Sequence, residues 1–403
     1  MVLDYHQENK FGEIPMKLIL QNWFTIAKLP VKIFSIAIFL FISTIKPQWN
    51  TQSPLPTHLD VRGIGAPSAQ KVFIATDDNS FDDGGALFES NDGGATWIQR
   101  NVPISLGDPF NGLFFLDSLH GWAFGNDNYK TTDGGTTWVQ LPFLGSTYFM
   151  KFYTQSFGLT TGNFGRYVSY DGGDNWVESP NGMFYFSFIN NVNGLGVADS
   201  SIYLTTDGGI SFNEVYTGFS KAAEFLSSNI SVGIVDDTFI RSTDGGLTWN
   251  PVSSANEKTK LLPVSTDVCI AWGRAGTFPN ITHNLFRTSD GGQTWNDLGE
   301  VIPDGVFAFS VVDNQHIVAS DVNGNMYYSA DAGLSWSQTF SSPGQMPSFL
   351  SSAAPHFADS QTGYFGYGSG FVIKTTDGGA LAVAHDSTEN AVVSRRQELG
   401  RQQ

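Results

Sequence analysis

One short phrase recurs along most of the chain and limits what the chain can fold into. The phrase is Ser/Thr-x-Asp-Gly-Gly-x-Thr-Trp, written most fully as STDGGLTW at 242–249. We call each copy a box. The box aspartates stand 36 to 46 residues apart, at Asp92, Asp133, Asp171, Asp207, Asp244, Asp290, Asp331 and Asp377. Six boxes close with tryptophan: Trp97, Trp138, Trp176, Trp249, Trp295 and Trp336. Repetition at this interval is typical of one repeat domain rather than of several unrelated domains.

The residue types of the box predict a tight turn followed by an anchor. An aspartate side chain bonds the backbone just beyond it, and a glycine pair supplies the positive φ that hairpin turns need. The closing tryptophan is large enough to bury about 150–250 Å² between neighbouring sheets. We therefore expect the boxes to be structural; a ring of aspartates that binds a ligand is the alternative.

The segments between boxes follow a fixed order that predicts a four-stranded blade. An alternating or aromatic run such as 112–116 comes first, then a glycine-rich strand such as 121–125, then a strand such as 371–374 that enters the box. A last strand leaves the box at its tryptophan. We name these strands A to D from the centre outward, so that each box is a C–D turn. The A–B and C–D turns share one face, the box face, and the B–C loops and D–A links share the other, the loop face.

The sequence thus predicts an all-β fold, a β-propeller of four-stranded antiparallel blades. Eight boxes favour eight blades, and seven is the alternative if the irregular first repeat does not form a full sheet. The eighth box stops at Gly379 without its tryptophan, whereas residues 47–54 (PQWNTQSP) read like the exit from a box. We expect an N-terminal strand near Trp49 to supply the missing strand D and close the ring; a loose terminus is the alternative.

Three regions follow from this pattern. In residues 1–47, Lys17, Lys28 and Lys32 precede an apolar run at 33–42, which predicts a signal peptide or, if it is not cleaved, an N-terminal membrane anchor. Residues 48–379 form the propeller, and the atypical polar tail at 380–403 is expected to lie outside it. The protein is therefore expected to be exported, either secreted, periplasmic or at the cell surface.

With these boxes the chain resembles the Asp-box, or BNR, repeats of sialidases, certain endoglucanases, sortilin-type receptors and photosystem II assembly factors. The resemblance is closest to the assembly/stability factors, whose repeat has Gly-Trp-x-x-Gly before Lys-Thr-Thr-Asp-Gly-Gly, here 121–125 and 130–135. It covers roughly residues 49 to 379 and implies boxes on the outer hairpins, away from the working pocket. The assembly factors usually have seven blades.

Charge and cysteine content narrow the partners. The formal net charge of −17 disfavours nucleic acid and anionic membrane surfaces, so the membrane is a partner only through an uncleaved N-terminal segment. Cys269 is the single cysteine, which excludes an intrachain disulfide and predicts a small buried apolar residue. We expect a monomer.

Function is expected on the loop face, because such loops vary freely on a rigid scaffold. The candidate ligand-binding residues are Asp77, Asp78, Asp127, Arg166, Asp236, Asp237, Arg274, Phe278, His283 and Asp321. The loop 273–284 is the longest B–C loop and the best candidate for a specialised binding element. Phe164 and Tyr129 are expected to be exposed there and to be available for stacking on sugars. For the acids, the alternative is that aspartate is simply a good loop residue.

Two kinds of chemistry remain open for these acids. Glycoside hydrolysis needs two carboxylates, for which Asp127 and Asp237 are the candidates. The sialidase resemblance implies three arginines, but the B–C loops supply only Arg166 and Arg274. No cofactor is expected; the alternative is Ca²⁺, which prefers oxygen ligands, at Asp78, Asp82 and Asp83.

The sequence therefore favours an exported, non-enzymatic Asp-box propeller that acts as a binding or assembly scaffold. Its partner would be a protein or a glycan held on the loop face. The alternative is a glycoside hydrolase that uses loop-face aspartates and is xyloglucanase-like or, less favoured, sialidase-like.

Overall fold

Eight four-stranded antiparallel sheets follow one another along the chain and form the blades of a β-propeller. The computed structural model describes residues 49–52, 55–57, 59–77, 85–100, 110–142, 144–273, 282–303, 305–342 and 354–378. The predicted fold class and the count of eight blades are confirmed. The domain boundaries proposed near 47 and 379, the apolar run at 33–42 and the tail at 380–403 lie outside the described residues and stay predictions.

The first strand, β1 (Asn50–Thr51), belongs to the last blade, and blades 1 to 4 come next. Blade 1 consists of β2 (Asp60–Gly65), β3 (Val72–Asp77), β4 (Ala86–Ser90) and β5 (Ile98–Arg100). Blade 2 consists of β6 (Phe110–Phe115), β7 (Gly121–Gly125), β8 (Tyr129–Thr131) and β9 (Val139–Gln140). Blade 3 consists of β10 (Thr147–Phe152), β11 (Gly158–Gly162), β12 (Gly165–Ser169) and β13 (Val177–Glu178). Blade 4 consists of β14 (Tyr185–Phe188), β15 (Gly194–Ala198), β16 (Ser201–Thr205) and β17 (Asn213–Thr217).

Blades 5 to 8 repeat the same order. Blade 5 consists of β18 (Ser220–Phe225), β19 (Ser231–Val235), β20 (Thr238–Ser242) and β21 (Asn250–Ser254). Blade 6 consists of β22 (Lys260–Pro263), β23 (Cys269–Trp272), β24 (Phe286–Thr288) and β25 (Asn296–Asp297). Blade 7 consists of β26 (Val306–Val311), β27 (Ile317–Asp321), β28 (Met326–Ser329) and β29 (Ser337–Phe340). Blade 8 consists of β30 (His356–Phe357), β31 (Gly363–Gly366), β32 (Val372–Thr375) and, as its outer strand, β1. Short 3₁₀ turns occur at Pro180–Gly182 and Gly368–Gly370.

The N-terminal strand closes the ring, as the incomplete eighth box predicts. Asn50 and Thr51 pair antiparallel with Lys374 and Ile373 of β32, and the Gln52 amide donates to the Val372 carbonyl at 2.9 Å. Trp49 is 5% exposed and packs edge-on against Phe357, with ring centres 6.2 Å apart. The last blade thus takes its outer strand from the start of the propeller.

In the described part of the chain, the core consists of eight apolar clusters, each between two successive blades. Leu204, Val235 and Trp249, for example, lie together in the cluster between blades 4 and 5. A box-closing aromatic residue packs at seven of these seams, namely Trp97, Trp138, Trp176, Phe212, Trp249, Trp295 and Trp336. Trp49 takes the equivalent place between blades 7 and 8. The closing tryptophan therefore anchors its blade to the preceding one, and Cys269 lies fully buried in one such cluster.

Each box is held by its own side chains. In blade 5, the Ser242 hydroxyl accepts from the Gly246 amide at 2.9 Å and donates to Asp244 Oδ1 at 2.8 Å. The Asp244 carboxylate accepts from the amide and the hydroxyl of Thr248 at 2.9 and 2.6 Å. Gly245 and Gly246 have φ of 74° and 90°, which side-chain-bearing residues rarely adopt. The sequence prediction of a side-chain-locked turn is confirmed in atomic detail.

The boxes also hold the box face together. The amide of the residue after the box aspartate donates to an A–B turn carbonyl of its own blade, as Gly245 does to Asn229 at 2.9 Å. The residue that enters the box can reach the next blade: Arg241 Nε donates to the Gly291 carbonyl at 2.6 Å, and Lys374 Nζ donates to the Gly93 carbonyl at 2.7 Å. One phrase therefore fixes a turn, a blade and the seam to its neighbour.

Removal of the Trp49 side chain should destabilise the whole ring. Truncation of a buried tryptophan costs about 3–5 kcal/mol, so Trp49→Ala should lower the free energy of unfolding by that amount in a urea titration. Leu247→Ala, at a box residue that is 59% exposed, is the control and should stay within about 0.5 kcal/mol of wild type. Equal effects of the two substitutions would contradict ring closure by β1.

Acid should weaken the boxes. Hydrogen bonds from the Thr248 hydroxyl and amide lower the pKa of Asp244 from its ordinary 3.8 to about 2. Because the pKa is lower in the folded state, the ionised carboxylate stabilises the fold above about pH 4, and this contribution is lost as the pH falls towards 2. Urea midpoints should fall more steeply between pH 5 and pH 2.5 for wild type than for Asp244→Asn or Asp207→Asn. Parallel pH profiles would contradict this role of the box carboxylates.

Candidate functional site

The loop face carries an aromatic groove over blades 4 to 7. Its larger cavity, of about 440 Å³, is lined by Phe184, Tyr185, Asp199, Phe219, Ser220, Lys221, Ala222, Thr259, Lys260, Leu261 and Trp272. A second cavity, of about 290 Å³, shares Thr259, Lys260 and Trp272 and adds Gly273, His283, Leu285 and Val306. We call the two together the groove. Because they share three residues, the two cavities are adjacent.

The fold explains why aromatic side chains meet here. Phe184 and Tyr185 lie where strand A of blade 4 begins, and Phe219 is in the link that enters strand A of blade 5. Trp272 ends strand B of blade 6. All these positions are at the loop-face ends of inner strands, so three neighbouring blades place them side by side. Leu261 and Ala222 are 5% and 4% exposed, and they form an apolar base.

Two lysines and an arginine border this apolar surface. Lys260 Nζ lies 5.8 Å from the centre of the Trp272 ring, and the Arg166 guanidinium lies 5.4 Å from that of Phe184. Lys221 Nζ is 3.9 Å from Asp237 Oδ1, which makes a loose ion pair. The groove therefore combines aromatic walls with cations at its edge.

Four of the predicted loop-face residues lie at or beside the groove. His283 lines the smaller cavity, with Nδ1 3.2 Å from Glu300 Oε1, and Arg166 contacts Phe184. Asp236 and Asp237 form the B–C turn of blade 5, with φ of 47° and 57°. The Asp236 carboxylate accepts from the Phe219 amide at 3.0 Å, and Asp237 accepts from the Glu257 amide, so both acids hold the walls.

The other described candidates lie in blades 1, 2 and 7. Asp77 ends β3, where it is buried and accepts from Arg62 at 3.2 Å. Asp321 ends β27, where its carboxylate accepts from the Asn325 side chain at 2.7 Å. Asp127 is in the B–C turn of blade 2, three blades away from Asp237, and its Oδ2 accepts from the Tyr129 hydroxyl at 3.4 Å.

Of the two aromatic residues expected in exposed loops, one prediction is confirmed and one is wrong. Phe164 is 68% exposed on the B–C turn of blade 3. Tyr129 is fully buried, because it begins β8 and its ring packs against Phe110 between blades 1 and 2. A residue next to a loop in sequence can thus already face the seam between blades.

The calcium and long-loop predictions concern residues outside the described part of the chain. Asp78, Asp82 and Asp83 belong to the undescribed segment 78–84, and Arg274 and Phe278 belong to 274–281. The Ca²⁺ site and the binding role of the long B–C loop therefore stay predictions. Within the described residues, no group of three or more His, Cys, Asp or Glu side chains is placed to hold a metal ion.

A buried acid beneath the groove was not anticipated. Glu224 lies in the inner strand of blade 5 at 8% exposure, and it accepts from the Tyr185 hydroxyl and, at 2.5 Å, from the Ser187 hydroxyl. Burial raises its pKa, against the hydrogen bonds and the charge of Lys151, which lower it. A lone acid in the apolar run 222–226 (AAEFL) was the available signal. Because the Tyr185 hydroxyl donates to the Glu224 carboxylate, Glu224 holds the Tyr185 ring in the groove wall.

The box face has a broader depression of a different kind. It measures about 710 Å³ and is lined by Leu116, Asp117, Tyr153, Thr154, Gln155, Ser156, Asp171 and Asn191. Its polar groups already bond within their turns or across them: Asp117 accepts from the amides of Leu119 and His120 at 2.8 Å and from the Gln155 side chain at 3.3 Å, and Thr154 accepts from the Phe157 amide at 2.8 Å. These groups serve the turns, so the groove is the better candidate for binding.

Comparison with known proteins supports the fold. No protein-family model matches the sequence, and no curated protein is significantly similar to it. The C-terminal WD40 domain of Sif2 has 10% identity and a TM-score of 0.54 over 80% of this chain and 97% of that domain. "YCF48 bound to D1 peptide" has 16% identity and a TM-score of 0.46 over 83% and 99%. A GH74 xyloglucanase from Xanthomonas campestris has 12% identity and a TM-score of 0.34 over 83% and 80%. The similarity to the Sif2 domain is one of fold alone, and at these identities none of the three similarities says anything about ligands.

Loss of the Tyr185 hydroxyl should destabilise the chain, because the buried Glu224 carboxylate would lose a donor. Tyr185→Phe should lower the free energy of unfolding by about 1–3 kcal/mol in urea titrations. The control is Tyr203→Phe in the same blade, whose hydroxyl bonds the exposed Glu214 at 3.5 Å and should matter little. Indistinguishable effects of the two substitutions would show that Glu224 does not depend on Tyr185.

Proposed function

We propose that this chain is an exported, non-enzymatic propeller of the Asp-box type that acts as a binding or assembly scaffold. It holds a protein or glycan partner on its loop face, in and around the groove. The observation that carries the proposal is the contrast between the two faces. The polar groups of the box-face depression bond within their turns, whereas the groove presents Phe184, Phe219 and Trp272 with cations at the edge. Partly exposed aromatic residues and a concave shape are features of binding sites.

A hydrolase is the second candidate, because aromatic walls also suit sugar rings. Glycoside hydrolysis requires two carboxylates about 5–10 Å apart on either side of the scissile bond. Among the described residues that line the groove, Asp199 is the one carboxylate. This shortage favours binding without turnover. Release of reducing sugar from a panel of plant and microbial glycans, lost in both Asp199→Asn and Asp237→Asn, would replace the scaffold proposal with hydrolysis.

Export is part of the proposal and rests on the basic residues and apolar run of the first 47 residues. Because Trp49 and β1 complete the ring, any cleavage has to fall before Trp49. The described residues include no candidate membrane-spanning helix. Intact mass of the chain recovered from envelope or medium gives its N-terminus; a mature chain that starts beyond residue 49, or one found in the cytosol alone, contradicts this part of the proposal.

Site-specific photo-crosslinking in the native host tests the scaffold proposal. Benzoylphenylalanine replaces either Phe219 on the loop face or Leu247 in a box, positions that are 58% and 59% exposed. We expect discrete adducts from position 219 and none above background from position 247, because the partner covers the groove. The matched exposure controls for random collision. Adducts confined to position 247, or equal at both positions, would contradict a loop-face partner.

A further inference from the structure

The groove has the size and lining of a small-molecule site. Pockets of roughly 300–1,000 Å³ hold ligands of that class, and the larger cavity measures about 440 Å³. Four aromatic side chains, Phe184, Tyr185, Phe219 and Trp272, supply its walls, and buried Leu261 lies at the base. Binding of an apolar body to such a surface is favourable, because it removes apolar area from water.

Lysine charges lie at this apolar surface in a strongly acidic chain. The ionisable side chains that line the larger cavity are Lys221, Lys260, Asp199 and Tyr185, with Asp237 beside it, while the whole chain carries −17. Lys221 is partly neutralised by Asp237 at 3.9 Å. Lys260 forms no ion pair within the described part of the chain, and its ammonium lies 5.8 Å from the Trp272 ring centre. Lys260 is therefore the main partner for an anion.

We propose that the groove binds a small organic anion, in which one negatively charged group is attached to an aromatic or branched apolar body. The body packs between Phe219 and Trp272, and the negative group bonds the Lys260 ammonium. An ion pair that lies partly against apolar walls is screened less than one in open water. This site needs no macromolecular partner, so it goes beyond the scaffold role, and either can fail without the other.

Two dyes with the same ring system test the charge requirement. Anilinonaphthalene sulfonate carries one negative charge, and N-phenylnaphthylamine is its neutral counterpart. Fluorescence titration of the full chain should give one saturable site for the sulfonate. Lys260→Met should weaken sulfonate binding about tenfold and change binding of the neutral dye less than twofold. Phe219→Ala should weaken the binding of both dyes, because it removes a shared apolar wall.

Lys71→Met is the control for loss of a lysine charge. Lys71 lies at the box-face end of blade 1, with its ammonium 5.4 Å from the Phe73 ring centre and 3.5 Å from Glu89 Oε1, so the substitution removes the same charge away from the groove. It should leave both titrations unchanged. Equal binding of the two dyes, or sulfonate binding that Lys260→Met does not weaken, would overturn the proposal. Circular dichroism verifies that each variant is folded, and Lys260→Gln provides a second neutral side chain at the same position.

Discussion

The rest of the ring depends on the hydrogen bonds that the aspartate carboxylate of each box accepts. It accepts hydrogen bonds within its own turn, as Asp244 does from Thr248, and so fixes the direction in which strand D leaves. The tryptophan that follows is thereby aimed at the seam with the preceding blade. A side chain of the preceding blade can also donate a hydrogen bond to the turn, as Arg241 does to the Gly291 carbonyl and Lys374 does to the Gly93 carbonyl. Local turn chemistry is thus converted into contacts between blades.

Because the stabilising contacts of the boxes lie on the box face, the loops of the loop face can vary in sequence. The B–C turns and D–A links carry no repeated phrase, and in blades 4 to 7 their residues form the groove. Buried residues nevertheless position the side chains of this face, because the buried Glu224 carboxylate holds Tyr185 in the groove wall. The groove combines a rigid base with exposed elements such as Phe219, which is the arrangement expected of a binding site on a scaffold.

The repeat allowed most of the fold to be predicted, because turn type, strand order and blade length are all local properties. Even ring closure could be predicted, since Trp49 resembles the residue that the eighth box lacks. The site could not be predicted in the same way. The groove brings Phe184, Phe219 and Trp272 together from three blades, and no spacing in the chain reports their proximity. Acids were expected to act on the loop face, yet Asp77 and Asp321 bond neighbours within their blades, and Tyr129 faces a seam.

The central claim is that the boxes stabilise the ring at the box face, while the loop face binds a partner. Amide hydrogen exchange of the chain, alone and with the partner recovered by crosslinking at position 219, tests this claim most directly. We predict added protection at 183–185, 218–222 and 259–261, which border the groove, and unchanged exchange at the box turns. Protection confined to the box turns, with the groove segments unchanged, would contradict the account.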